Sequence, residues 1–172
     1  MSKVPFRRLA PAALALCALA VASAADAASQ RTFVASYGSD ASAACSLALP
    51  CRAFAAAIAQ TNPGGEVIVL DSAGYGPVTI TKAVSIVAPA GVYAGVSVAT
   101  GDGIVVNAGA ADVVKLRGLR LNGTGGANGI VATAVGLLDI ADVEVGGFTG
   151  RGLDFAAPGG QLLVADSAFT GS

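Results

Sequence analysis

The side chains best suited to chemistry lie in the second half of the chain: Asp139, Asp142, Glu144, Asp154 and Asp166, together with Arg117, Arg120 and Arg151. Histidine is absent from all 172 residues. This removes Ser-His-Asp and Cys-His nucleophiles, HExxH zinc sites and imidazole acid–base catalysis. Any catalysis must rest on Asp, Glu, Lys, Arg or Tyr. Asp142 and Asp166 are 24 positions apart (166 − 142 = 24). If the chain stacks with that period, two carboxylates could share a Ca²⁺ ion. The same column holds Gly118, and Asx residues at such a position also describe a bend in which the side chain bonds its own backbone. The bend is the expected role. No catalytic residue, cofactor or metal ligand is assigned, and Asp142 and Asp166 stand only as the Ca²⁺ candidates.

A pattern written nearly three times between Asp112 and Gly171 must position these groups. Asp112–Gly123, Gly136–Gly147 and Gly160–Gly171 align so that Leu116, Ile140 and Val164 share one column, and Leu121, Val145 and Phe169 another. The spacing is constant (140 − 116 = 24; 164 − 140 = 24). Self-similarity at a fixed period of this size marks a repeat architecture. If one period is one coil, position i lies about 4.8 Å from its counterpart across a parallel ladder. Leu119 then faces Val143 as a further inward pair. Lys115 would sit over Asp139, and Arg120 over Glu144, two opposite-charge pairs that support the register.

Composition agrees with stacked layers. Of the chain, 54% is hydrophobic and only 12% charged, with 23 Gly and no Trp. Small apolar side chains suit a long thin core better than one built on large aromatics. The net charge of −1 provides no basic field for nucleic acid. At the N-terminus, Lys3, Arg7 and Arg8 precede the apolar run Leu9–Ala22. The small-residue sites Ala22-Ser23-Ala24 and Ala25-Asp26-Ala27 follow. This is the form of a secretory signal peptide over residues 1–27, predicting a periplasmic or extracellular protein with no membrane association after cleavage. Cys17 leaves with the signal. Cys45 and Cys51 remain, and two cysteines so close in an exported chain predict a local disulfide.

Residues 28–65 then read as a strand over Arg31–Ser36, the disulfide loop, and a helix over Cys51–Gln60. Phe54, Ala57 and Ile58 form its apolar stripe, and Pro63-Gly64-Gly65 stops it. So short a helix needs a surface to pack on, and it is expected to plug the open N-terminal end of the stack. From residue 66 to 172 the chain is a series of three- to five-residue β runs divided by Gly, Pro and Asn, without crossover helices. Asn107, Asn122 and Asn128 are expected at turns. The glycine-rich stretches Gly101–Gly103 and Gly123–Gly129 lack phosphate-loop or dinucleotide spacing, so they too are expected to be turns.

Phe54-Ala-Ala-Ala-Ile58, Pro63-Gly-Gly-Glu-Val-Ile-Val69 and Gly74-Tyr-Gly-Pro-Val-Thr-Ile80 resemble the N-terminal start of right-handed parallel β-helix proteins, the pectin-lyase-like superfamily. Gly129-Ile-Val131 and Leu138–Val145 resemble their later repeats. The resemblance implies an all-β, right-handed, single-stranded parallel β-helix of roughly four coils with a short capping helix. It is poor for function, since that fold hosts many activities. It implies for a lyase a set of acidic Ca²⁺ ligands (Asp139, Asp142, Glu144, Asp154, Asp166) and an arginine base (Arg117, Arg120 or Arg151). The pairings of Lys115 with Asp139 and Arg120 with Glu144 count against that set. The Gly-His-Gly motif of related hydrolases is ruled out by the missing histidine.

The expected function is therefore an exported, non-catalytic β-helix module that binds a polysaccharide or a surface protein, with a Ca²⁺-dependent polysaccharide lyase as the alternative. The pattern stops partway through a coil at Gly171-Ser172. This predicts either a chain continuing past Ser172 or self-association through an open last coil.

Overall fold

The computed structural model describes residues 29–170. The signal segment at 1–27 and the terminal Gly171-Ser172 lie outside the described residues. Strand β1 (Ser29–Val34) and helix α1 (Phe54–Gln60) come first. The chain then winds, laying down three strands per turn. The first turn is β2 (Thr61–Val69), β3 (Ala73–Gly74) and β4 (Val78–Ile80); the second is β5 (Val84–Val87), β6 (Ala94–Val98) and β7 (Ile104–Asn107). The third is β8 (Val113–Arg117), β9 (Leu119–Gly123) and β10 (Ile130–Ala134); the fourth is β11 (Leu137–Ala141), β12 (Glu144–Gly146) and β13 (Leu153–Phe155). Strands β14 (Gln161–Ala165) and β15 (Ala168–Phe169) begin a fifth.

Every ladder is parallel, and the strands stack into three sheets that wall a central core. The first sheet runs β1-β2-β5-β8-β11-β14, the second β3-β6-β9-β12-β15, and the third β4-β7-β10-β13. The protein is a parallel β-solenoid of about four turns. Among the described residues, no helix is long and apolar enough to cross a membrane.

The expected columns are present. Val67, Ile86, Leu116, Ile140 and Val164 pair in register through the first sheet. Val96, Leu121, Val145 and Phe169 do so through the second. Alternation along each short strand sends every second residue inward, and from Val67 to Ile140 the first column is fully buried. Strict 24-residue spacing holds only in the last part of that sheet. Ile86 pairs with Leu116 (116 − 86 = 30) and Gly65 with Val84 (84 − 65 = 19). Four or five residues pair at each of these levels while the segments between strands absorb the difference.

The corner between the first and second sheets explains one column of the sequence. Gly118, Asp142 and Asp166 all adopt left-handed backbone, with φ of 73°, 52° and 48°. A Cβ at Gly118 would lie 2.5 Å from the Ala88 carbonyl oxygen, so glycine is required there. On later turns Asp, one of the few other residues that tolerate this conformation, takes the position. A second corner stacks Gly103, Gly129 and Gly152, whose carbonyls accept the Val78, Ile104 and Ile130 amides that open the third-sheet strands.

The N-terminal end is closed by helix α1 and by the disulfide loop. Helix α1 buries Phe54, Ala57 and Ile58 against β1, β2 and β4. It begins three residues later than the sequence pattern suggests. Cys51 instead forms a parallel bridge with Val34, and the Arg52 and Ala53 amides donate to Asp40 Oδ1 at 2.7 and 2.9 Å. The helix ends at Gln60, as expected, but Pro63-Gly64-Gly65 is not what stops it. Thr61 is already extended, and the triplet lies within β2, where a register shift against β1 accommodates it.

The disulfide loop covers the outer edge of β1. Phe33 N–H donates to the Cys45 carbonyl, Ala35 N–H to the Cys51 carbonyl, and Cys51 N–H to the Phe33 carbonyl, at 2.8–2.9 Å. Thus the unpaired side of the first strand is occupied, the protection that sheet edges require. Cys45 and Cys51 lie at disulfide distance, with their Cα atoms 4.8 Å apart, and both are fully buried. Replacing both by serine is expected to lower the unfolding free energy by about 2 kcal/mol, from the loop entropy restored to the unfolded chain. It should also raise concentration-dependent aggregation as the β1 edge frees. Urea titration with light scattering checks both outcomes.

On β14, Leu162 and Val164 continue inward columns yet are 39% and 41% exposed.

Candidate functional site

The five carboxylates of interest are spread around the solenoid rather than gathered. Asp139 lies on the first sheet, Asp142 and Asp166 at the corner, Glu144 on the second sheet and Asp154 on the third. Asp139 does stand in register with Lys115, but its ion pair is with Arg117, at 2.6 Å. The reach of the longer guanidinium, set diagonally one pleat away, brings it onto a carboxylate that is only 13% exposed. Asp154 pairs with Arg151 at 3.0 Å, and Asp166 is exposed. Among the described residues no group of three or more His, Cys, Asp or Glu side chains converges as metal ligands.

One part of the set does come together, around Arg120 on the outer face of the second sheet. Its Nη2 donates to Asp142 Oδ1 at 2.9 Å, and its Nη1 to the Asp142 and Leu119 carbonyls at 2.8 and 3.1 Å. Its Nε lies 3.3 Å from Glu144 Oε2. The expected pairing of Arg120 with Glu144 is therefore present and joined by Asp142, which the corner conformation turns toward the same guanidinium. Arg120 is held at four points, while Asp142 and Glu144 remain 64% and 66% exposed.

Beside this cluster stands Tyr93, which the sequence pattern does not single out. It follows the turn Pro89–Val92, closed by Val92 N–H donating to the Pro89 carbonyl at 3.0 Å. Its own amide donates to Ser72 Oγ at 2.9 Å. A Cβ at Gly95 would lie 2.7 Å from Tyr93 Cε1 and 3.2 Å from its Cζ and Oη. The ring thus rests over Gly95, and it is 51% exposed. Gly95 is the ladder partner of Arg120, so the ring sits one turn from the guanidinium. A visible signal existed: a tyrosine two residues before a glycine, in a chain with three Tyr and no Trp.

Together these side chains line a shallow groove of about 370 Å³, formed by Tyr93, Arg120, Asn122, Glu144, Gly146 and Thr170. A neighbouring recess of about 250 Å³ shares Tyr93 and Arg120 and reaches Asp142. Asn122, expected at a turn, instead lies within β9 and points outward in register with Ser97 and Gly146. Thr170 Oγ1 donates to the Val145 carbonyl at 3.0 Å and sits over Gly146. The groove combines an aromatic ring, the Asn122 amide, the Thr170 hydroxyl and outward carboxylates with apolar surface from Leu121, Val145 and Ala168.

The other expected turn residues are accounted for. Asn128 bonds Asp102 through Nδ2 at 2.8 Å and accepts from the Arg151 amide at 3.0 Å, linking successive turns at a corner. Asn107 ends β7. A separate cluster is structural. Tyr75 is buried beside Phe54, with ring centroids 5.2 Å apart, and its hydroxyl meets Asp71 Oδ1 at 2.5 Å. Hydrogen bonds from Ser36 and then Tyr75 hold the Asp71 carboxyl below its ordinary pKa. Burial, reinforced by the Asp71 acceptor, pushes the Tyr75 phenol up.

No family model, curated protein or solved structure matches this chain.

Proposed function

We propose that this protein is an exported, non-catalytic β-solenoid module that binds glycan through the groove on its second sheet. The observation that carries this is the exposed Tyr93 ring lying over Gly95, one turn from the immobilised Arg120 cluster. Sugar rings present flat C–H faces that pack on an aromatic ring, and hydroxyls that bond to fixed carboxylates and amides. A rigid sheet face holding both is suited to them, because little side-chain freedom is lost on binding. Export is supported by the N-terminal sequence pattern and by a buried disulfide, which belongs in an oxidising compartment. A right-handed, pectin-lyase-like winding is supported by the residue resemblance and by the hand that parallel crossovers nearly always take. Self-association belongs to the same proposal: a further parallel strand laid on β14 would cover Leu162 and Val164.

Glycan-array binding by the wild type and by Tyr93→Ala tests the proposal. The substitution is expected to weaken binding at least tenfold, about 1.4 kcal/mol, with an unchanged circular dichroism spectrum. Unsaturated product released from an acidic polysaccharide in a chelator-sensitive way would overturn the non-catalytic assignment. Array binding indifferent to Tyr93 would overturn the site.

A further inference from the structure

Resting on the groove as a glycan site, we propose that its ligand is an uncharged pyranose oligomer lying along the solenoid axis, and that polyuronates are rejected. Among the described residues, Arg120 is the only cation lining the groove or its adjoining recess, and it faces two carboxylates, so the charge of these three side chains sums to −1. Recognition of a sugar carboxylate by arginine needs a free pair of N–H groups in the guanidinium plane. Here Nη1 and Nη2 already donate to the Asp142 carbonyl and Asp142 Oδ1, and Glu144 Oε2 lies 3.3 Å from Nε. An incoming carboxylate would meet two like charges already flanking the guanidinium. Neutral hydroxyls, in contrast, find exposed carboxylate oxygens that accept from them, plus the amide of Asn122 and the hydroxyl of Thr170.

Direction follows from the ladder. Gly95, Arg120, Glu144 and Ala168 pair successively up the second sheet. The rung under the Tyr93 ring and the rung of Glu144 are therefore about 10 Å apart along the axis. About three consecutive sugar rings span that interval, the first stacked on Tyr93 and the third bonded at Glu144. Glycine at 95 and 146 and alanine at 168 keep the track low.

Calorimetric titration of the full chain with neutral β-1,4-glucan and β-1,4-mannan tetramers, and with tetragalacturonate at low salt, provides the test. At least one neutral tetramer is expected to bind, with Kd raised tenfold or more in Tyr93→Ala, and tetragalacturonate is expected not to bind. The double variant Asp142→Asn/Glu144→Gln removes both negative charges beside the guanidinium and should gain Tyr93-dependent tetragalacturonate binding. Asparagine tolerates the left-handed backbone at 142, so the variant should fold. If tetragalacturonate binds the wild type as tightly as the neutral tetramers and depends on Tyr93, the charge inference fails while the groove stands. If no saccharide binds in a Tyr93-dependent way, the groove itself is not the glycan site.

Discussion

Ile140→Ala should lower the unfolding free energy by about 2–5 kcal/mol, whereas Val164→Ala, one turn further along the same column, should cost about 1 kcal/mol or less. Ile140 is fully buried between Leu116 and Val164. Removing its outer carbons leaves a void, and parallel strands tied on both sides cannot close over it. Val164 is 41% exposed on the last strand of the sheet. Its truncation opens onto solvent and loses only part of the apolar transfer energy. Urea denaturation of the two variants measures the contrast. Equal costs would mean that the column is not a continuous stack.

The second large effect concerns a backbone position. Gly129→Ala is expected to destabilise by about 3 kcal/mol or more, at or beyond the upper end of ordinary overpacking. A Cβ there would lie 2.2 Å from Val145 Cγ1 and 2.5 Å from the Gly152 carbonyl oxygen. Side-chain rotation could relieve the first contact but not the second. The Gly129 N–H donates to the Arg151 carbonyl and its carbonyl accepts from Ile104, both at 2.9 Å. The residue is therefore fixed from the turns on either side, and moving it breaks the ladder. Gly74→Ala is the matched control, since the nearest atom to its added Cβ is 3.9 Å away. Thermal melts should show a large fall in Tm for the first and almost none for the second. A tolerated Gly129→Ala would mean that this corner packs more loosely than the distances indicate.

The positions of the carboxylates decide how the Ca²⁺-lyase alternative is weighed. That reading needs several acids on one face with a free arginine. Asp139 and Asp154 belong to other sheets and have their own arginines, and Arg120 is engaged by Asp142 and Glu144. Asp142 and Asp166 share a corner whose left-handed backbone explains both residues without any ion. What remains on the second sheet is Arg120 fixed between Asp142 and Glu144, beside the exposed Tyr93 ring.

Much of this was readable from the chain alone. Period-2 alternation within short runs, and apolar residues recurring at one spacing, establish parallel stacking because inward columns must be apolar at every level. Hence Leu116/Ile140/Val164, Leu121/Val145/Phe169, the bend at Asp142 and Asp166, and the Cys45–Cys51 pair were all legible. The two-residue strand β3 was not, being too short to show a period, nor was the start of β2 beneath Pro63-Gly64-Gly65. The side-chain partners were not either: the sequence places Lys115 over Asp139, but the reach of Arg117 decides the ion pair. Tyr93 belongs to tertiary structure entirely. It lies outside the repeat, and its role depends on a turn that sets its ring over Gly95 and next to a guanidinium 27 positions away (120 − 93 = 27). Local pattern determines which way a strand side chain faces. Which neighbours it meets depends on corner geometry, and that exists only once the coils are stacked.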